Sequence, residues 1–169
     1  MLTALFSTLG CDAETNVDKP SKKPPAQAEE PKSETQEQMQ MKVYFANEDG
    51  TKLVAKTQPK QAGDKYTAAI NALIAGTDAK DAISMIPKGT KLRSVQVKNG
   101  VAYVDFSGEL VKKFGGGSAG EIMLVGSIVN TLTEFPEVKA VQILVEGKNV
   151  ETIAGHMDTS EPLKRFKSI

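Results

Sequence analysis

The two side chains that most often carry chemistry near neutral pH each occur once in this chain of 169 residues, as Cys11 and His156. A thiolate and an imidazole could together form a nucleophile–base pair. Cys11, however, precedes the part of the chain that the composition predicts to fold, so a Cys–His dyad is excluded. A serine with His156 and either Asp158 or Asp105 could formally make a triad. We expect a structural or turn role for His156 and predict no catalytic residue.

The composition argues against metal, cofactor and nucleic-acid sites. A single cysteine excludes a zinc site built from several cysteines, and a single histidine excludes a His-rich metal site. The carboxylate pairs Glu48-Asp49 and Asp78/Asp81 lack EF-hand spacing, and we expect them on a solvated surface. The 21 basic and 21 acidic residues cancel, so no net positive charge attracts nucleic acid to the chain. Tryptophan is absent, which weakens any aromatic surface on which bases could stack. We predict no metal, no cofactor and no nucleic-acid partner.

A glycine-rich segment, GGGSAG at 115–120, precedes a helical pattern. Helix N-termini attract anions, so one interpretation is a phosphate cradle. The segment lacks the Gly-Lys-Ser/Thr ending of a P-loop, and a flexible approach to a capped helix is the favoured interpretation. Ser118 and Glu121 have the spacing of a capping box, which predicts that both side chains satisfy amides of the first helical turn.

The composition divides the chain into three parts. Residues 12–40 contain four prolines and no Ile, Leu, Phe or Tyr, so they cannot bury enough apolar surface to offset their ordering entropy. They are predicted to form a disordered tether that spans roughly 30 Å as a flexible coil. Residues 41–169 carry the apolar patterns of a single compact domain. Residues 1–11 form a short apolar segment of their own.

The clearest local signal in the domain is the segment LRSVQVKNGVAYVDF at 92–106. Asn99-Gly100 favours the positive φ angles of a type I′ turn. That turn pairs Lys98 with Val101 and Val95 with Val104. The register places one set of residues on a core face, namely Val95, Val97, Ala102, Val104 and Phe106, and Gln96, Lys98, Tyr103 and Asp105 on the opposite face.

Helices and strands alternate through the rest of the domain. Asp64 is predicted to cap a helix that ends at Gly76, and residues 78–91 are predicted to be an ordered loop. Ser107 is a predicted cap of a short helical piece, and the longer helix after Ser118 is predicted to pack flat on a sheet and to end at Pro136. A strand over 141–145 then turns and returns over Val150–Ile153. The predicted class is α+β, with a mixed or antiparallel sheet packed by about two helices.

The sequence around Cys11 resembles a bacterial lipobox, in which a small residue precedes the cysteine that is acylated. Met1 to Gly10 is largely apolar, and Thr8-Leu9-Gly10 leads directly into the cysteine. The alternative is a frayed cytosolic N-terminus with an incidental thiol. The apolar run is shorter than a signal peptide and carries no Lys or Arg, which a start site assigned too late would explain. Because a polar tether follows, we predict that residues 1–11 are a truncated signal peptide and that Cys11 is lipidated.

The folded part resembles the GerMN domain family of spore-germination and sporulation lipoproteins. Matching segments occur in order over about residues 41–166, namely IPKGTKL at 86–92, GVAYVDFS at 100–107, GSAGE at 117–121, TLTEFP at 131–136, VQILV at 141–145 and GHMD at 155–158. The resemblance implies a compact α+β domain displayed outside the cytoplasmic membrane, with no enzymatic activity. Only Cys11 is implied as a functional residue.

We therefore expect a non-enzymatic lipoprotein, held at the extracytoplasmic face of the cell membrane by its lipid anchor. Its domain would bind envelope or sporulation proteins, or self-associate. The main alternative is a module that binds a small ligand or a cell-wall glycan in a concave site lined by Tyr44, Tyr66 or Tyr103. A hydrolase that uses His156 is the third hypothesis.

Overall fold

A computed structural model describes residues 40–167 and residue 169, and it shows an α+β domain with two sheets and three helices. The predicted class is confirmed, although the strands divide between two sheets rather than one. The elements in chain order are β1 Gln40–Asn47, β2 Leu53–Pro59, α1 Lys65–Ala75, β3 Ala82–Ile83, β4 Leu92–Lys98, β5 Val101–Phe106, α2 Glu109–Lys112, α3 Ser118–Leu132, β6 Ala140–Val145 and β7 Lys148–Asn149.

The first sheet has the strand order β2-β1-β3, and both of its pairings are antiparallel. The turn between β1 and β2 is fixed by Asn47, whose side-chain oxygen accepts hydrogen bonds from the amides of Thr51 and Lys52 at 2.8 and 3.0 Å. This local bonding explains why the segment NEDG turns the chain back on itself.

The second sheet has the order β4-β5-β6-β7 and contains the predicted hairpin. Lys98 pairs with Val101 and Val95 with Val104, which confirms the predicted register. Asn99 and Gly100 have φ angles of 50° and 79°, as a type I′ turn requires. β5 and β6 run parallel, so α3 lies in the crossover between them. β6 is buried over almost its whole length, as expected of a parallel strand covered on both faces.

The two longer helices supply much of the core. Asp64 caps α1 through the amides of Tyr66 and Thr67, and Gly76 ends the helix with a φ of 85°, as predicted. α3 has 11 buried residues out of 15. A helix that lies flat on a sheet buries only one face, so α3 is buried on more than one side. It packs against β1 and α1 together, so it is an interior helix of the domain.

Four local predictions were wrong. Ser118 lies inside α3, and the N-cap is Gly117, which provides no side-chain cap. The N-cap of α2 is Gly108 rather than Ser107. α3 ends at Leu132, before Pro136, and Thr133 is its C-cap. The returning strand is only Lys148–Asn149, because the amides of the segment predicted as strand 150–153 are used elsewhere, as shown below.

The segment 78–91 is ordered, as predicted, and its core contribution comes from buried Ile86 and Ala82. It also contains β3, which pairs with the end of β1. Within the described residues, no helix is both long enough and apolar enough to cross a membrane.

Thr90→Val is expected to raise the free energy of unfolding by about 1 kcal/mol, because Thr90 is 4% exposed and its hydroxyl has no hydrogen-bond partner among the described residues. A buried polar group without a partner carries an uncompensated desolvation cost of about 1–3 kcal/mol, which valine of similar shape removes. Denaturant unfolding of the two proteins measures the difference. A loss of stability would show that the hydroxyl has a partner.

Candidate functional site

The best-organised polar feature of the domain is a fully buried carboxylate, Glu121, in the first turn of α3. Its Oε1 accepts hydrogen bonds from the Thr152 hydroxyl at 2.6 Å and from the amides of Ile153 and Ala154 at 2.9 Å. Its Oε2 accepts from the amide of His156 at 2.8 Å. One side chain thus determines the path of the loop over 152–156.

The ionised form of Glu121 is favoured in the folded protein. Burial by itself would raise the pKa of this carboxyl. The hydrogen bonds from Thr152 and from the three amides outweigh that cost and hold the pKa below its ordinary value. The loop is therefore tied to the domain by a buried negative charge that is fully hydrogen-bonded rather than paired with a cation.

The Glu121-bound loop forms one wall of an open depression of about 420 Å³. The residues around it are mostly polar, and they are Glu151, Thr152, Gly155, His156, Met157, Asp158 and Ser160. Because the loop backbone is fixed by Glu121, the depression is present before any ligand binds.

The structure brings His156, Asp158 and Ser160 to this depression but does not connect them as a triad. The Ser160 hydroxyl donates to Asp158 Oδ1 at 2.6 Å, so the serine faces the carboxylate rather than the imidazole. The His156 side chain is exposed, and its backbone amide makes the contact with Glu121. The predicted turn role of His156 is confirmed at its backbone.

Ser118 and Asp105, whose side chains are also of the types found in triads, lie in other settings. Residues 116–120 have the Gly-x-Ser-x-Gly lettering of a nucleophile elbow, but Ser118 opens α3 after the helix α2 rather than after a strand. Asp105 is only 7% exposed. It accepts from the amide of Gly147 at 2.8 Å and from Arg93 Nε at 2.9 Å, so it holds the β6–β7 turn, although the hairpin register predicted it on the outer face.

A second polar cluster joins the C-terminal tail to β1 and to the segment after α3. Tyr44 donates to Glu134 Oε2 at 2.9 Å, and Arg165 Nη2 donates to the same oxygen at 3.0 Å. The Arg165 guanidinium also lies 4.8 Å from the centre of the Tyr44 ring. Burial, together with the hydrogen bond to Glu134, raises the pKa of the Tyr44 hydroxyl. No sequence pattern indicates this cluster, because its members are 31 to 121 residues apart.

Tyr66, another tyrosine of the predicted concave site, lies in a different setting from Tyr44. Tyr66 packs edge-on against Phe135 at 5.0 Å between ring centres and donates to Glu137. Lys65 and Tyr66 together lower the pKa of Glu137 to about 2. Neither the depression beside Glu121 nor a smaller one of about 260 Å³ at β1 and β2 is lined by a tyrosine.

The described residues contain no group of three or more His, Cys, Asp or Glu side chains that could hold a metal ion. Of the predicted acidic pairs, Asp81 bonds to Lys56 at 2.6 Å. Cys11, the predicted lipidation site, lies outside the described residues, as do the predicted signal segment 1–11 and most of the tether 12–40.

Solved structures with a similar fold include two of a Bacillus subtilis protein and one of a Clostridium perfringens protein. The first GerMN domain of the sporulation protein GerM from Bacillus subtilis aligns with a TM-score of 0.63 and 24% identity over 75% of this chain and 97% of its own. The tandem GerMN domains of the same protein align with a TM-score of 0.59 and 29% identity. The alignment covers 77% of this chain and 45% of the tandem structure. A protein from Clostridium perfringens, named as a candidate lipoprotein, aligns with 0.54 and 26% identity over 74% of this chain and 86% of its own.

A sequence comparison with curated proteins gives no significant match. The model of the family Germane, described as sporulation and spore germination, matches residues 42–151. These residues run from β1 to the start of the Glu121-bound loop and include all or most of every helix and strand described above. The chain therefore belongs to the Germane family of GerMN domains, which is associated with sporulation and spore germination.

Proposed function

We propose that this protein is a non-enzymatic lipoprotein that acts in sporulation or spore germination through protein contacts at the outer face of the cytoplasmic membrane. The observation that carries the proposal is the family match over residues 42–151, which includes the whole helix and sheet framework. The related Clostridium perfringens structure, named as a candidate lipoprotein, supports the anchor. The arrangement of His156, Asp158 and Ser160, in which the serine bonds to the carboxylate, supports a role without catalysis.

The sheet edges supply surfaces for protein contacts. β2 is seven residues long, pairs with β1 on one side, and is an edge strand of its sheet. The one charged side chain within β2, Lys56, is paired with Asp81. An edge strand with so little charge is open to pairing with a strand of a partner. On the other edge of the same sheet, Ile83 is 42% exposed and is the one large hydrophobic side chain of the described residues that is so exposed.

Cys11→Ser is expected to abolish attachment to the membrane, because Cys11 is the only cysteine and hence the only thiol that could be acylated. The measurement follows the protein in membrane and soluble fractions of the cells that naturally produce it, together with the mass of the isolated protein. Ser7→Ala is the matched control, since it changes a nearby hydroxyl and leaves the thiol. An unmodified Cys11 in the wild-type protein would contradict the lipid anchor.

Contacts of the domain can be tested separately from the anchor. A photo-crosslinking residue at Thr57, which is exposed on β2, is expected to capture an envelope protein or a second copy in sporulating cells. The same group at Thr51, in the β1–β2 turn, serves as the control for proximity alone. A strict monomer in sedimentation, with no specific capture from β2, would count against a role in protein contacts.

The depression beside Glu121 favours a second candidate function, the binding of a small ligand or a glycan. Its volume of about 420 Å³ is within the range of pockets that bind small ligands. A small-ligand or glycan module predicts that peptidoglycan fragments shift the amide resonances of 151–160 in the purified protein. An unchanged spectrum at millimolar fragment would remove this alternative.

A further inference from the structure

Four exposed lysines surround the short helix α2, and they are named here the lysine surface: Lys88, Lys91, Lys112 and Lys113. Lys112 and Lys113 lie at the end of α2. Just before α2, the Ser107 amide donates to the carbonyl of Lys91 at 2.9 Å, and the Lys91 amide donates to Ser107 Oγ at 3.0 Å. The Lys113 ammonium lies beside Gly89, 3.0 Å from where a Cβ on that residue would be.

The charges of the lysine surface are not compensated by ion pairs within the described part of the chain. Five other cations, Lys42, Lys56, Lys65, Arg93 and Arg165, each lie within 4 Å of a carboxylate. None of the four lysines does, and within the described residues the same holds for Lys52, Lys60, Lys80 and Lys98. What distinguishes the lysine surface is that its four unpaired lysines lie together around α2. The acids on this side are Glu109 of α2, which the charges of Lys112 and Lys113 influence, and Asp105 and Glu146, which both pair with Arg93. With these acids included, this side of the domain keeps a positive surplus.

The residue types of the lysine surface fit a diffuse anionic surface better than a protein partner. Protein interfaces are enriched in Tyr, Trp and Arg and depleted in Lys. Lysine is a compact, strongly hydrated point charge on a flexible stem, without the bidentate geometry of arginine. Neither of the two depressions described above is lined by any of the four lysines. Long-range attraction to many negative groups needs no such pocket.

We propose that the lysine surface docks the domain onto the anionic headgroups of the membrane to which the chain is anchored. This inference rests on the proposed lipid anchor at Cys11. The predicted tether over 12–40 would have a mean span of roughly 30 Å as a flexible coil, and at that distance even weak attraction acts at high effective concentration. Each lysine near an anionic surface contributes about 1 kcal/mol, which is roughly a fivefold gain in partition onto the membrane.

The test uses the full-length protein with the substitution Cys11→Ser, so that no attached lipid contributes to binding. The probes are vesicles of phosphatidylcholine alone and vesicles that contain 30 mol% phosphatidylglycerol, sedimented with the protein at about 0.1 M salt. The protein is expected to bind only the anionic vesicles. The fourfold variant Lys88→Gln, Lys91→Gln, Lys112→Gln and Lys113→Gln is expected to lose more than tenfold in partition, and 0.5 M salt is expected to abolish binding, because it shortens the screening length.

The matched control carries the same change of charge at four exposed lysines elsewhere, Lys52, Lys60, Lys80 and Lys98, and is expected to lose less than threefold. Circular dichroism melts of both variants check that they are folded. Equal losses in the two variants, equal binding to both kinds of vesicle, or no binding to anionic vesicles would each overturn the proposal. None of these outcomes bears on acylation, which the mass of the cellular protein reports independently.

Discussion

Glu121→Ala is expected to lower the free energy of unfolding by about 3–5 kcal/mol, the largest effect of any single polar substitution that we foresee. The substitution removes the acceptor of three buried or half-buried amides and one hydroxyl at once. Hydrogen bonds to a charged group contribute about 1.5–3 kcal/mol each, and donors left without partners carry a desolvation cost. Urea unfolding at pH 7 measures the loss, and the amides of 153, 154 and 156 should exchange faster with solvent.

Glu121→Gln separates the shape of the side chain from its charge. The amide keeps one oxygen for the loop, but its NH₂ group would face the His156 amide, so donor meets donor. We expect a loss of about 2–3 kcal/mol at pH 7. The matched control is Glu137→Gln, since the pKa of Glu137 is also lowered, to about 2. Glu137 is exposed, so screening by water leaves its ion pair with little effect on stability.

The stability difference between the wild type and Glu121→Gln should depend on pH with a definite sign. The folded-state pKa of Glu121 lies below the ordinary value of 4.5. Its contribution is therefore fully present above pH 4.5 and is lost as the pH falls through the folded-state pKa. The gap between the two unfolding free energies should shrink below pH 4.5. A gap that stays constant down to pH 3 would show that the charge of Glu121 does not hold the loop.

Glu121 also shows which parts of the domain could be predicted from sequence. The Asn99-Gly100 hairpin and the Asp64 cap were predicted correctly because their determinants lie within a few residues of the structure that they fix. Glu121 has the spacing of a capping box with Ser118, so local reasoning directed its side chain to its own helix. Its true partners are 31 to 35 residues away. Only the assembled fold brings them together, and for the same reason the strand predicted over 150–153 does not form.

The two candidate sites also differ in whether the sequence could predict them. Lipidation of Cys11 rests on a local motif and stays a prediction, since the structure describes residues 40–167 and 169. The lysine surface joins residues 88–91 to 112–113, which are far apart in sequence, and α2 places them side by side. Totals of charge in the sequence do not show which lysines lie together in space. The surface becomes visible once the fold around α2 is known.

Asn130→Ala is expected to release the C-terminal tail and to lower the free energy of unfolding by about 2–3 kcal/mol. Asn130, in α3, is 5% exposed and binds the backbone of Phe166 twice. Its Nδ2 donates to the Phe166 carbonyl at 3.1 Å, and its Oδ1 accepts from the Phe166 amide at 2.9 Å. Alanine leaves both backbone groups without this partner, and the neighbouring contacts of Arg165 do not replace it.

The tail should open locally before the domain unfolds, because Asn130 makes both side-chain hydrogen bonds to the Phe166 backbone. Leu163 forms an isolated antiparallel bridge with Val141, and Ile169 lies against Gly126 of α3. The readouts are the exchange rate of the Phe166 amide and the rate at which trypsin cleaves after Arg165, both of which should rise at least tenfold. Asn149→Ala, at an exposed position of β7, is the matched control and should change neither.

Hydrogen exchange at the Phe166 amide, compared with exchange at the amides of β6, shows whether the tail opens independently of global unfolding. In Asn130→Ala, exchange at Phe166 should no longer track global unfolding, whereas amides of buried β6 should still do so. If Phe166 and β6 exchange with the same free energy in the variant, the tail is an integral part of the core. In that case Tyr44, Glu134 and Arg165, rather than Asn130, would be the contacts that hold it, since they tie the tail to β1 and to the end of α3.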